Sequence, residues 1–85
     1  MTAEKLKAIR NATRLPQRAF ALEMGVPLRT YEDLESGKST VRPIHLKAAT
    51  MALIETMAID DIGMVDMPRD VAEIIKNAYK NMKGV

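Results

Sequence analysis

The segment 17–37, QRAFALEMGVPLRTYEDLESG, constrains the fold more than any other part of the chain. Ala21 is a small residue where a following helix can cross closely, and Gly25 follows at a position suited to a left-handed backbone conformation. Tyr31 and Leu34 then lie one helical turn apart on the same face. This spacing predicts two short helices joined by a tight turn, a helix-turn-helix.

Composition limits the classes of function that the chain can perform. Its 85 residues make one small domain, and the absence of cysteine leaves neither a disulfide framework nor a thiolate metal site. A single histidine, His45, argues against a metal site or a histidine-based catalytic pair. No apolar run approaches the roughly 20 residues of a membrane span. We therefore expect a soluble, cytoplasmic protein with no membrane association, no metal and no cofactor.

Charge is distributed unevenly along the chain. Residues 1–42 contain eight Lys/Arg and five Asp/Glu, a net charge of +3, whereas residues 43–85 contain five and six, a net charge of −1. The basic surplus coincides with the helix-turn-helix, as contact with phosphate groups would require.

Apolar periodicity and helix-breaking residues predict five helices, over about residues 2–12, 16–24, 28–35, 43–57 and 68–82. The first should bury a narrow stripe containing Leu6 and Ile9. The fourth is almost wholly apolar and must be covered on most of its faces. The second helix should bury four residues around Ala21, namely Ala19, Phe20, Leu22 and Met24.

The last predicted helix has apolar residues at i, i+3, i+4, i+7, i+8 and i+11, starting from Val71. This stripe either covers the fourth helix within the chain or pairs with a second subunit. We predict that residues 1–58 form one functional unit, and that residues 59–85 form a connector and a dimerising helix. The predicted homodimer contacts are Ile74, Ile75, Ala78, Tyr79 and Met82, with Met51 and Met57 as further candidates.

Three segments carry a resemblance to a known family: LKAIRNATRLPQRAFALEMGV, TYEDLESGK and RPIHLKAATMAL. They resemble the phage repressor/Cro-type, or XRE-like, helix-turn-helix transcriptional regulators over about residues 6–54. The resemblance implies an all-α fold, a compact bundle of about five helices with a lambda-repressor-like DNA-binding domain, here with an added C-terminal helix. It also implies an ion pair between Arg10 and Glu35 and a phosphate contact by Gln17. Pro27 departs from the Ser or Thr usual in the family.

In such a motif the N-terminal part of the second helix faces base edges in the major groove of double-stranded DNA. Arg29 can donate two hydrogen bonds to guanine, and an acidic side chain can accept one from cytosine N4. Any of these side chains can instead be an ordinary solvated group. The candidate base-reading residues are Leu28, Arg29, Glu32 and Asp33. The candidate phosphate contacts are Gln17, Arg18, Thr30, Ser36, Lys38, Ser39 and Arg42. Tyr31 can also reach a phosphate through its hydroxyl, although packing explains it better.

The sequence therefore predicts a small homodimeric repressor of its own promoter, binding an inverted-repeat operator. The alternative is an antitoxin-like interaction module, in which the last helix and the acidic connector bind a partner protein such as a toxin. An enzyme is the weakest hypothesis, because Asp60 and Asp61 lie in a connector without a nearby histidine or nucleophile.

Overall fold

The computed structural model describes the backbone of residues 2–60 and 68–83, and the side chains of residues 2–57 and 68–82. The regular structure in these ranges is helical, which confirms the predicted all-α bundle of five helices. They are α1 (Thr2–Thr13), α2 (Gln17–Met24), α3 (Leu28–Ser36), α4 (Pro43–Asp60) and α5 (Arg69–Lys83). Helix α4 extends three residues beyond its predicted end. The rest of the predicted connector, residues 61–67 with Asp61, lies outside the described residues.

Proline residues mark where the helices begin. Pro16 and Pro27 take the N-cap positions of α2 and α3 with extended backbone angles, and their carbonyls accept the N–H groups four residues later at 3.0 Å. Proline suits these positions because the N–H groups at a helix start have no partner within the helix. Neither proline provides a side-chain cap, because the ring has no hydrogen-bonding group.

The hydrophobic core lies among the first four helices. The Phe20 and Tyr31 rings pack edge to face, with their centroids 5.7 Å apart and an interplanar angle of 75°. This is a favourable aromatic geometry that joins α2 to α3. The predicted stripe of α1 is confirmed, since Leu6 and Ile9 are fully buried. The other buried apolar residues of these helices and their connections are Ala12, Ala21, Leu34, Val41, Ala49, Ala52 and Leu53.

The predicted buried face of α2 is wrong at Leu22, and Ala19 is only half-buried. Leu22 is 80% exposed, whereas Phe20 and Ala21 are buried and Met24 packs partly against the core. Successive residues turn by about 100° in a helix, so Leu22 lies about 200° from Phe20 and points away from the core. Residues 19–24 are apolar at five of six positions, and a short helix cannot bury all five on one side.

Helix α5 packs on the other helices only through its N-terminal half. Val71 is 2% exposed, and Ala72 and Ile75 pack partly against the core. Asp70 forms an ion pair with Lys5 of α1. All seven residues from 76 to 82 are exposed. Of the two uses predicted for the apolar stripe, covering the core within the chain therefore applies to its first half.

Helix α4 is also covered incompletely. Ala49 and Leu53 are fully buried, and Met57 packs partly against the core. Met51 is 55% exposed and Ile44 is 70% exposed, so apolar surface remains on the outer side of this helix. Within the described residues, none of the helices combines the length and the apolar character that crossing a membrane requires.

Candidate nucleic-acid interface

The turn between α2 and α3 sets the angle at which α3 is presented. Gly25 has φ +81°, its N–H donates to the Leu22 carbonyl at 3.1 Å, and the N–H of Val26 donates to the Ala21 carbonyl at 3.0 Å. These two bonds are the Schellman arrangement, which satisfies the last carbonyls of a helix and reverses the chain direction. The predicted left-handed glycine at this turn is confirmed. Gly37 after α3 has the same backbone conformation, with φ +86°.

Helix α3 has two distinct faces. Tyr31 and Leu34 are buried against the core, with exposed fractions of 0% and 1%. Arg29, Glu32 and Ser36 are exposed and follow one another at helical spacing on the opposite face. The packing of Tyr31 and Leu34 thus determines which side chains α3 offers to a partner.

The four candidate base-reading residues differ in accessibility. Arg29 and Glu32 are exposed, whereas Leu28 and Asp33 are half-buried. The two acidic side chains and one basic side chain leave this face with a net charge of −1. The cations that could offset phosphate repulsion must therefore come from outside α3.

The candidate phosphate contacts supply such cations on either side of α3. Arg18 on α2, and Lys38 and Arg42 after α3, are all exposed. Thr30, Ser36 and Ser39 are exposed polar residues in the same region. The Ser36 hydroxyl lies 3.2 Å from the Asp33 carbonyl and 3.4 Å from the Lys38 N–H, and so closes the C-terminal end of α3.

A buried polar cluster joins α1, α2 and α3 behind this surface. Its centre is Glu35, whose side chain is 5% exposed. One carboxylate oxygen accepts Arg10 Nε at 2.8 Å and the Tyr31 hydroxyl; the other accepts Arg10 Nη2 at 3.1 Å and Gln17 Nε2 at 2.9 Å. Each oxygen thus receives two donors, and the guanidinium binds the carboxylate in a two-point fork. The structure contains the ion pair of Arg10 and Glu35 that the family resemblance implies.

The cluster shifts the ionisation of its members. Burial alone would raise the pKa of Glu35, but the hydrogen bonds from Arg10, Tyr31 and Gln17 outweigh it and leave the pKa below its ordinary value. Burial raises the pKa of Tyr31, and the hydrogen bond that its hydroxyl donates to Glu35 raises it further. The hydrogen bond with Glu35 raises the pKa of Arg10. Near neutral pH the cluster therefore contains a carboxylate, a guanidinium and a neutral phenol.

The cluster changes the interpretation of two predicted contacts. The Tyr31 hydroxyl is buried and bonded to Glu35, so the suggested contact between Tyr31 and phosphate is wrong. Gln17 gives one of its two amide N–H groups to Glu35, which leaves the second for another acceptor. A phosphate contact by Gln17 stays a prediction, with the orientation of its amide restricted by Glu35.

Sequence reasoning missed several positions that hold the interface in shape. Arg10 also donates to the Leu15 carbonyl at 3.1 Å, and the buried Thr13 hydroxyl lies 2.6 Å from the Arg10 carbonyl and accepts the Leu15 N–H. Arg14 between them has φ +63°, an uncommon conformation for a non-glycine residue. His45 accepts the Arg42 N–H at 2.9 Å and so caps α4. None of these contacts has a recognised signal in the sequence, since Arg42 and His45 do not match the Ser/Thr and Glu/Gln of a capping box.

Comparisons of the chain with models of protein families, with curated proteins and with solved structures found no match.

Proposed function

We propose that the protein is a sequence-specific DNA-binding transcriptional regulator that reads the major groove with α3. One observation carries this proposal: α3 is fixed by Tyr31 and Leu34 on one side and presents Arg29 and Glu32 on the other. Rigid presentation matters, because hydrogen bonds to base edges discriminate between sequences only if the donors are held in register.

The surroundings of α3 support the same proposal. The exposed cations Arg18, Lys38 and Arg42 lie before and after α3 in the chain, where they can bind phosphates on both sides of the groove. Phosphate binding would position the helix, and Arg29 would supply the sequence preference through guanine O6 and N7. Glu35 takes no part in base reading in this scheme, because its four hydrogen bonds commit it to the core.

A single helix-turn-helix domain of this size covers about half of a typical operator. We infer that two copies bind an inverted repeat, with half-sites about one helical turn apart. Occupation of a promoter by such a pair, in the cytoplasm and at the protein's own gene, would repress transcription by blocking access.

A second candidate function rests on α5. Its residues 76–82 are exposed and include Tyr79 and Met82, which are 64% and 71% exposed. An apolar helix face of this kind also suits an antitoxin-like module that binds another protein, with DNA binding secondary.

The deciding experiment begins with selection of binding sites from a random duplex library by the full chain. Fluorescence anisotropy then compares the selected duplex with a shuffled one at two salt concentrations. We expect a preference of about a thousandfold for the selected duplex. Failure to enrich any sequence, together with equal and steeply salt-dependent binding to both duplexes, would contradict sequence-specific regulation.

Matched variants separate base reading from charge. Arg29→Ala should lose about 1–3 kcal/mol of binding to the selected duplex and little to the shuffled one. Lys38→Ala should weaken binding to both duplexes and reduce the slope of log K against log salt by about 1. Lys7→Ala removes an exposed charge of α1 outside the proposed contacts and serves as the control. Equal effects of Arg29→Ala and Lys7→Ala would remove Arg29 from the base-reading set.

A further inference from the structure

The outer half of α5 has an apolar stripe that the described part of the chain leaves exposed. Ile74, Ala78 and Met82 follow at intervals of four residues and therefore lie on one face. Ile74 is 59% exposed, Met82 is 71% exposed, and Ala78 is also exposed. Isolated helices of fewer than about 12 residues are marginal in water, so the half of α5 that lacks core contacts gains stability if another surface covers it.

The stripe continues into an apolar groove between α4 and α5. The groove has a volume of about 460 Å³, and Ile74 belongs both to the stripe and to its wall. On the α4 side the wall includes Met51 and Ile54, which are 55% and 38% exposed. The groove and the stripe therefore form one continuous apolar surface.

The size of this surface suits a protein interface. The large apolar residues of this surface each expose between 38% and 71% of their area; they are Ile74, Met82, Met51 and Ile54. Together they offer several hundred Å², on the order of the roughly 800 Å² per partner that a standard interface buries. The largest apolar patch on a typical monomeric protein is about 300–600 Å² and is often a functional surface.

The order of residues along the stripe is self-complementary. A small residue, Ala78, lies midway between two large ones, Ile74 and Met82. In an antiparallel pair of identical helices centred on Ala78, the small residues allow close approach, and each Ile74 meets the Met82 of the other copy. The pattern of large, small and large side chains is the same in both directions, so the small residues meet at the axis and a large residue meets a large residue on either side of it.

The charges beside the stripe permit this self-association. Asn77 and Asn81, next to the stripe on the groove side, are uncharged and exposed. Asp70 at the groove is neutralised by Lys5. Two copies that face each other along the stripe would place no uncompensated like charges opposite one another at these positions. Lys47, on the α4 side of the groove, lies away from the stripe and gives the groove lining a net charge of +1.

We propose that a second copy of this chain covers the stripe, with the two α5 helices antiparallel and Ala78 of both copies at the two-fold axis. Met82 of each copy then lies beside Ile74 of the other, at the edge of the groove. The inference rests on the proposed action of two copies on an inverted repeat, and it identifies the surface that joins them.

The absence of cysteine from the chain allows a direct test by cross-linking. Helix axes about 8 Å apart would bring the two residues at position 78 within the range of a disulfide. The full-length variant Ala78→Cys should therefore oxidise almost completely to a covalent dimer under mild oxidant. Lys80→Cys is the matched control, because Lys80 is exposed on α5 about 200° around the helix from Ala78. Its disulfide yield should be at least about tenfold lower.

A second variant tests the stripe without a cross-link. Ile74→Asp should weaken self-association on the order of a hundredfold in size-exclusion chromatography with light scattering. Because Ile74 is 59% exposed, the monomer should keep its helical circular dichroism. Equal oxidation of Ala78→Cys and Lys80→Cys would overturn the proposed pairing, as would a wild-type protein that stays monomeric at about 100 µM.

The DNA assay separates the two proposals. If a wild-type dimer binds its selected operator but Ala78→Cys does not cross-link, the pairing is wrong while the DNA-binding function stands. If Ala78→Cys cross-links fully but selection enriches no sequence, the pairing stands and the regulatory function fails. If the chain does not self-associate and α5 instead forms a stable complex with an unrelated protein, the proposed pairing is wrong. That result would favour the protein-interaction module.

Discussion

Replacing Glu35 by glutamine should destabilise the fold far more than a loss of one charge on the surface would. In Glu35→Gln one carboxylate oxygen becomes an NH₂ group, which faces a guanidinium that has only donors. Gln17 can rotate its amide and Tyr31 can accept a hydrogen bond, but Arg10 can do neither. The variant therefore leaves the charge of Arg10 without a counterion in a site where its side chain is 15% exposed.

The expected loss follows from this geometry. Removal of one partner from a buried ion pair costs about 3–5 kcal/mol. Arg10 keeps its bond to the Leu15 carbonyl and some access to water, so we expect about 2–3 kcal/mol. A domain of 85 residues has a total stability of about 4–13 kcal/mol. The midpoint of thermal unfolding should fall by roughly 10–20 °C.

Urea titration followed by circular dichroism measures this loss. Glu32→Gln is the matched control, because it makes the same chemical change on an exposed residue of the same helix and should alter the free energy of unfolding by less than about 0.5 kcal/mol. A loss below about 1 kcal/mol for Glu35→Gln, or one equal to that of the control, would refute the argument that the cluster holds the three helices together.

Four further predictions test the turn, the ionisation of Tyr31 and of Glu35, and the corrected face of α2. Gly25→Ala should lower the free energy of unfolding by about 1–2 kcal/mol, measured by urea titration. The loss comes from backbone strain alone, because no atom lies within 4 Å of the added Cβ. An unchanged urea midpoint would contradict the left-handed conformation of Gly25. Since the folded-state pKa of Tyr31 is raised, its contribution to stability should be complete below about pH 10 and lost as the pH rises further, in the wild type but not in Tyr31→Phe. The opposite sign holds for Glu35, because its folded-state pKa is lowered. Its contribution to the free energy of unfolding should be present above about pH 4.3 and lost as the pH falls through the folded-state pKa. Acid unfolding that runs in parallel for the wild type and Glu35→Gln would contradict this. Leu22→Lys should change the free energy of unfolding by less than about 0.5 kcal/mol, whereas a loss of 2 kcal/mol or more would mean that Leu22 is buried.

The helices and the turn of the candidate site were predictable because their signals are local. Proline at a helix start and glycine in a left-handed turn act through the backbone of neighbouring residues. Thus Pro27 and Gly25 fall where the sequence placed them. The two faces of α3 were predictable for the same reason, since the spacing of Tyr31 and Leu34 defines the buried side.

The sequence was less informative wherever the outcome depends on which surfaces meet. The face of α2 was mispredicted at Leu22, because several apolar residues compete for one buried side and only the placement of α3 and α4 decides among them. The ion pair of Arg10 and Glu35 came from a family resemblance, whereas the hydroxyl of Tyr31 and the amide of Gln17 that complete it did not. Where helices pack together, residues that are far apart in the chain come into contact. No local sequence pattern indicates which of them will meet.

By itself, the sequence determined the number of helices, their approximate ends and the turn that sets α3 on α2, because each depends on hydrogen bonds and backbone angles within a few residues. The tertiary structure decided that Glu35 collects four donors from three helices, that Leu22 faces solvent, and that α5 packs through Val71 while Ile74 and Met82 stay exposed. The physical reason is that burial is a property of the whole assembly of helices. An apolar stripe in the sequence shows that one face of a helix favours burial. Only the packing of the helices shows how much of that face the chain itself buries.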